Sequence, residues 1–112
     1  FWAAAQELDP AIPGEAGHLR FGDEGELHTL FTAAGLVDVS ESTLQVSSAY
    51  ADFDDLWSGF LRGIGPAGSY LVSLPSEHRE ALRTRLFRRL GEPAGGLTLA
   101  ATARCATGTA PA

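Results

Sequence analysis

The sequence predicts a mixed α/β fold built from several helices and two strands, and three observations carry that expectation. Leu27, Leu30, Phe31 and Ala34 recur at i, i+3, i+4 and i+7, one apolar stripe of a helix, and Gly35 stands where a left-handed cap would end it. Two further stripes, Phe53-Leu56-Trp57-Phe60-Leu61 and Leu82-Leu86-Leu90, have the same spacing. From Leu97 to about Thr107 the period changes to two: Leu97, Leu99, Ala101, Ala103 and Cys105 share one parity, the pattern of a strand covered on one side.

Phe1 to Leu8 is rich in helix formers, and Asp9-Pro10 stops it because the residue before a proline is pushed out of helical geometry. A loop containing Pro13, Gly14 and Gly17 follows. Asp23 is the expected N-cap of the next helix, with Glu26 three residues on completing a capping box. Val37 to Tyr50 reads as a long strand whose apolar phase slips. Val37 and Val39 lie on one parity and Leu44 and Val46 on the other, so burying both sets calls for a bulge or break between Ser40 and Thr43.

Asp52, with Asp55 beyond it, is the next expected cap, and Gly63-Ile64-Gly65-Pro66 ends that helix. The segment to Leu74 has room for a helical turn or two. Pro75 or Ser76 then opens a helix that Gly91 stops. Two strands so far apart in sequence make a marginal sheet by themselves, and with the capless opening at Phe1 this suggests a fragment of something longer. Exposed strand edges of that kind lead to the expectation that the isolated segment self-associates or unfolds easily.

At 112 residues the chain has the size of one domain, burying roughly 60 to 70% of its unfolded surface. A net charge of −6 argues against a nucleic-acid partner, which needs clustered positive charge. No apolar run approaches the roughly 18 residues of a membrane span. The single cysteine, Cys105, leaves no internal disulfide, and no signal peptide opens the chain; together these favour a soluble protein in the cytoplasm. All 8 basic residues are Arg, a coding bias without functional weight.

Several motifs fail on context. Gly63-Ile64-Gly65-Pro66-Ala67-Gly68 matches G-x-G-x-x-G, but a helix rather than a strand precedes it and no strand-end acid follows. Asp52, Asp54 and Asp55 lack the turn glycine of a hard-metal loop and suit a first helical turn. His18, His28 and His78 lack metal-ligand spacing, Cys105 lacks a second thiol, and Ser58 lacks the strand-turn-helix setting of a nucleophile. Arg79, Arg83, Arg85, Arg88 and Arg89 read as a solvated face, with Glu77 and Glu80 as local partners. Phe1, Trp2, Phe53, Trp57 and Phe60 are the most informative set, since aromatic rings build cores and also wall apolar ligand pockets.

The phrase Ala33-Ala34-Gly35-Leu36-Val37-Asp38-Val39 resembles the last scaffold helix and penultimate strand of class I S-adenosylmethionine-dependent methyltransferases, and the similarity extends along the chain. Val37 to Val46 resembles the sixth strand of their Rossmann-like sheet and Leu97 to Thr107 the antiparallel seventh. Residues 52–91 resemble a helical insertion between them that helps shape the acceptor side. The resemblance implies that residues 1–112 form a single C-terminal segment of such an enzyme, with helices and two antiparallel strands that look α+β in isolation. It implies transfer of a methyl group to a small-molecule acceptor, walled by Phe1, Trp2, Phe21, Phe53, Trp57 and Phe60, with His18 as the one base available in the pocket loop. Nothing matches the acidic residue and glycine turn that hold S-adenosylmethionine, so the donor is expected to bind upstream and this segment to be inactive alone. The competing expectation is a free-standing, non-catalytic module that docks a ligand or protein on the Phe53/Trp57/Phe60 face.

Overall fold

The computed structural model describes residues 1–112 and contains six helices and two antiparallel strands. In chain order these are α1 (Trp2–Leu8), α2 (Glu15–His18), α3 (Glu26–Ala33), β1 (Val37–Tyr50), α4 (Phe53–Leu61), α5 (Gly65–Ser73), α6 (Ser76–Arg89) and β2 (Leu97–Thr109). No helix is long and apolar enough to cross a membrane. The chain divides into two compact units, the first holding residues 1–18 and 49–98, the second residues 19–48 and 99–112.

Unit 1 is helical and has a core. α1 packs on α6 and α4 on α5. Ala4, Ala5, Phe53, Leu56, Trp57, Leu71, Leu82 and Leu86 are all buried, with Leu71 and Leu82 at 0% exposure. α1 ends at Asp9, which turns to extended backbone before Pro10. α4 starts as its sequence requires: the Asp55 amide donates to Asp52 Oδ1 at 2.8 Å, and the Ala51 amide donates to Asp55 Oδ2 at 3.0 Å. The Asp52 carboxylate thus satisfies a donor that the helix start leaves orphaned, and that of Asp55 fixes the residue before the cap. The glycine-rich run is spent on the α4 to α5 turn. Gly63 and Gly65 both adopt φ of 72°, and a Cβ on Gly68 would stand 2.9 Å from the Gly63 carbonyl carbon, so only glycine lets the two helices approach.

In unit 2, β1 and β2 form a two-stranded sheet flanked in sequence by α3. The Ser40 and Thr107 hydroxyls meet at 2.9 Å, pairing the start of β1 with the end of β2. Three expectations are corrected here. Between Ser40 and Thr43 β1 is unbroken, and its irregular residue is Asp38, at φ 50°. The expected phase correction presupposed that both apolar sets are buried, whereas Leu44 and Val46 stay 58% and 61% exposed. The one-sided covering expected for β2 is also absent: Ala101 and Ala103 are exposed, while Arg104 and Ala106 of the opposite parity are as shielded as Cys105.

The third correction concerns the cap of α3. Asp23 does not cap it, and Gly25, in the left-handed region at φ 87°, is its N-cap. The Gly25 and His28 amides donate to Glu41 Oε1 and Oε2, each at 3.1 Å, so a strand carboxylate closes the helix start. Those bonds, from Gly25 first and then His28, together with the charge of Arg104, hold the Glu41 carboxyl below the usual range despite its shielding from water. The stripe that marked α3 as a helix finds no covering layer either: no residue of α3 is buried, and Leu30 is 44% exposed.

Candidate functional site

The aromatic residues singled out by the sequence meet in unit 1 along a continuous run of ring contacts. Phe53, Trp57 and Phe60 sit on one face of α4, with centroids 6.2 Å apart at each step. Phe60 lies 4.8 Å from Phe1, and Phe1 contacts Trp2 edge-on at 5.1 Å. Trp2 in turn carries the His18 ring stacked on it at 3.6 Å and 9°. Edge-on and offset pairs of this kind add to the stabilisation from burial alone.

Burial sorts this set into two parts. Phe53 and Trp57 are 4% and 5% exposed, so most of the Phe53/Trp57/Phe60 face is turned into the core rather than toward solvent. Phe1, Trp2 and Phe60 are half-buried and keep ring surface at the exterior. Phe21 belongs to unit 2, where it is 43% exposed at φ 57° and lines an open hollow of about 480 Å³ beside Leu27 and Arg104. A bulky residue in that backbone region is uncommon and costs energy. The Arg104 guanidinium is tied to the Gly22 carbonyl at 2.7 Å and pairs with Glu41 at 3.6 Å.

His18 is half-buried, and its Nε2 lies 3.1 Å from the Pro13 carbonyl oxygen. A carbonyl only accepts, so Nε2 carries the proton of this bond, and in the neutral ring Nδ1 holds the free lone pair. Stacking on Trp2 and the Pro13 bond together fix the plane and tautomer of the imidazole.

Two aromatic members were not singled out in the sequence. Tyr70 of α5 contacts Trp2 at 5.6 Å and Phe1 at 6.3 Å, and Phe87 of α6 meets Phe53 edge-on at 5.1 Å. Phe87 is adjacent to Leu86 and so extends the Leu82-Leu86 stripe, a signal that was open to reading. Tyr70 stands in a segment of weak periodicity and carried none. Burial, then the nearby negative charge of Asp9, raises the Tyr70 hydroxyl above its ordinary range.

Three arginines of α6 pair with carboxylates of other helices, and none pairs with Glu77 or Glu80 as expected. Arg83 pairs with Asp54 and lies over the Phe53 ring at 5.2 Å. Arg89 and Arg85 both bind Glu7 of α1, at 2.6 and 3.4 Å, and hold its carboxyl below the usual range. The Arg79 Nε–H donates to the Leu74 carbonyl at 3.0 Å. Asp54 and Glu7 offset only part of the positive charge of this face, and Arg79 and Arg88 form no ion pair. Asp52, Asp54 and Asp55 are committed to helix capping and to Arg83. Ser58 donates back to the Asp55 carbonyl within its own helix.

The glycine-rich run Gly63 to Gly68 serves the close packing of α4 on α5. The chain matches no protein-family model, and neither a curated protein nor a solved structure matches it at a significant level.

Proposed function

We propose that this chain is the acceptor-side, C-terminal portion of a class I S-adenosylmethionine-dependent methyltransferase acting on a small molecule in the cytoplasm, inactive without a donor-binding half outside residues 1–112. The observation that supports this reading most is the state of unit 2. Its helix and two antiparallel strands follow the order the resemblance implies, yet none of its side chains is buried. Strand edges are stable when further strands pair with them and apolar faces when a second layer covers them, and the remaining strands and helices of a Rossmann-like domain would supply both.

On this reading unit 1 supplies the acceptor pocket. The half-buried rings of Phe1, Trp2, Phe60 and Tyr70 would orient an apolar acceptor and exclude water, the two effects from which most of the rate enhancement would come. His18 would take a proton at Nδ1 where the acceptor must lose one, its tautomer already set by Pro13. The donor would be held by residues outside this chain.

The coding sequence ahead of Phe1 tests the proposal. It is expected to encode an apolar strand followed by an acidic residue and a Gly-x-Gly turn. The longer product is expected to bind S-adenosylmethionine in calorimetry while residues 1–112 alone do not. A longer product that binds no S-adenosylmethionine would overturn the reading.

A further inference from the structure

Between α1, α5 and α6 of unit 1 lies a hollow of about 380 Å³ that shares only Tyr70 with the aromatic run. Small-molecule sites span roughly 300–1,000 Å³, apolar over most of their lining with a few convergent polar groups. This one has that composition. Ala5 and Leu82, at 1% and 0% exposure, form its floor with Ala81, and Asp9, Tyr70 and His78 stand at its rim.

The charges around the hollow select the sign of what can enter. Asp9 takes part in no ion pair, and only its Oδ1 is engaged by the protein, accepting from the Ala11 amide at 3.1 Å. It also follows the last turn of α1, where free helix carbonyls add partial negative charge. No arginine lines the hollow: Arg79 is held at the Leu74 carbonyl, and Arg85 and Arg89 share the single carboxylate of Glu7. Asp9 is therefore the one carboxylate that lines the hollow, and Tyr70 lines it too, an aromatic residue of the kind organic ammonium groups favour.

We infer that this hollow binds a small organic cation, an amine with an apolar body, whose ammonium sits at Asp9 and Tyr70 and whose body rests on Ala5, Ala81 and Leu82. The inference goes beyond methyl transfer and stands without it, since no donor enters either the argument or the test.

The probe is 2-phenylethylamine, charged at neutral pH, set against its uncharged analogue 2-phenylethanol, with affinities to the 112-residue chain measured by ligand-observed NMR. The amine is expected to bind at least about tenfold more tightly than the alcohol, the margin one charge-assisted contact provides. Asp9→Asn keeps an oxygen for the Ala11 amide and is expected to abolish that preference. Ala81→Leu fills the hollow and is expected to remove binding of both probes, with circular dichroism reporting that each variant keeps its helices. Equal affinity for the two probes overturns the inference. So does the absence of binding at millimolar amine, or a preference that survives Asp9→Asn.

Discussion

In unit 1 the apolar faces of α1, α4, α5 and α6 close on one another around Leu71 and Leu82, whereas in unit 2 the equally clear stripe Leu27-Leu30-Phe31 is at most half-buried and the strand residues Leu44 and Val46 are exposed. Both regions carry the hydrophobic periodicity of their secondary structure. Only the first has a second layer of matching shape to bury it against, and burial rather than pattern is what stabilises. Unit 2 is held instead by polar contacts: Glu41 across the start of α3, Arg104 on the Gly22 carbonyl, and the Ser40 to Thr107 hydroxyl pair. Each such contact adds little net free energy because water competes for the same groups.

The largest expected effect tests the core side of this contrast. Leu82→Ala empties a fully buried site between helices and is expected to cost about 2–5 kcal/mol, read from denaturant unfolding followed by Trp2 and Trp57 fluorescence. A cost under about 1 kcal/mol would show that unit 1 is no better packed than unit 2.

A smaller effect probes the polar side. Glu41→Gln leaves one carbonyl oxygen where two carboxylate oxygens now accept, and hydrogen exchange at the Gly25 and His28 amides is expected to speed up by about tenfold. Acid should do the same in the unsubstituted chain. The folded carboxyl is held below its ordinary value of 4.5, so its contribution is complete above that pH and is lost as pH falls through the lowered folded value. Protection of these amides that stays constant down to the acid-unfolded state would remove Glu41 as the cap.

The smallest effect belongs to the bare strand faces. Leu44→Thr and Val46→Thr are each expected to change stability by no more than about 0.5 kcal/mol, since both side chains already face water. A loss as large as that of Leu82→Ala, growing with protein concentration, would mean that copies of the chain cover these faces in solution.

Local chemistry was legible at several element ends, though not at the Asp23-Glu26 capping box. Asp9-Pro10 ended α1, Asp52 and Asp55 capped α4, and Leu82 and Leu86 became core. The aromatic residues of the candidate site were legible too, because Phe53, Trp57 and Phe60 share one helical face. Their neighbours across the fold were not. The stacking of His18 on Trp2 and the contact of Tyr70 with both Phe1 and Trp2 join residues from different elements.

What the amino acids determined by themselves is therefore the longer helices and both strands, the ends of α1 and α4 and the faces that seek burial, because these depend on backbone geometry and on residues within one or two helical turns; the short α2 and the start of α3 escaped that reading. What only the tertiary structure decided is which faces succeed and which charges pair. Glu41 caps a helix 16 residues upstream at Gly25, Glu7 draws Arg85 and Arg89 away from Glu77 and Glu80, and Leu44 stays in water. Those outcomes turn on which elements come to lie side by side, and no spacing along the chain encodes that distance in space.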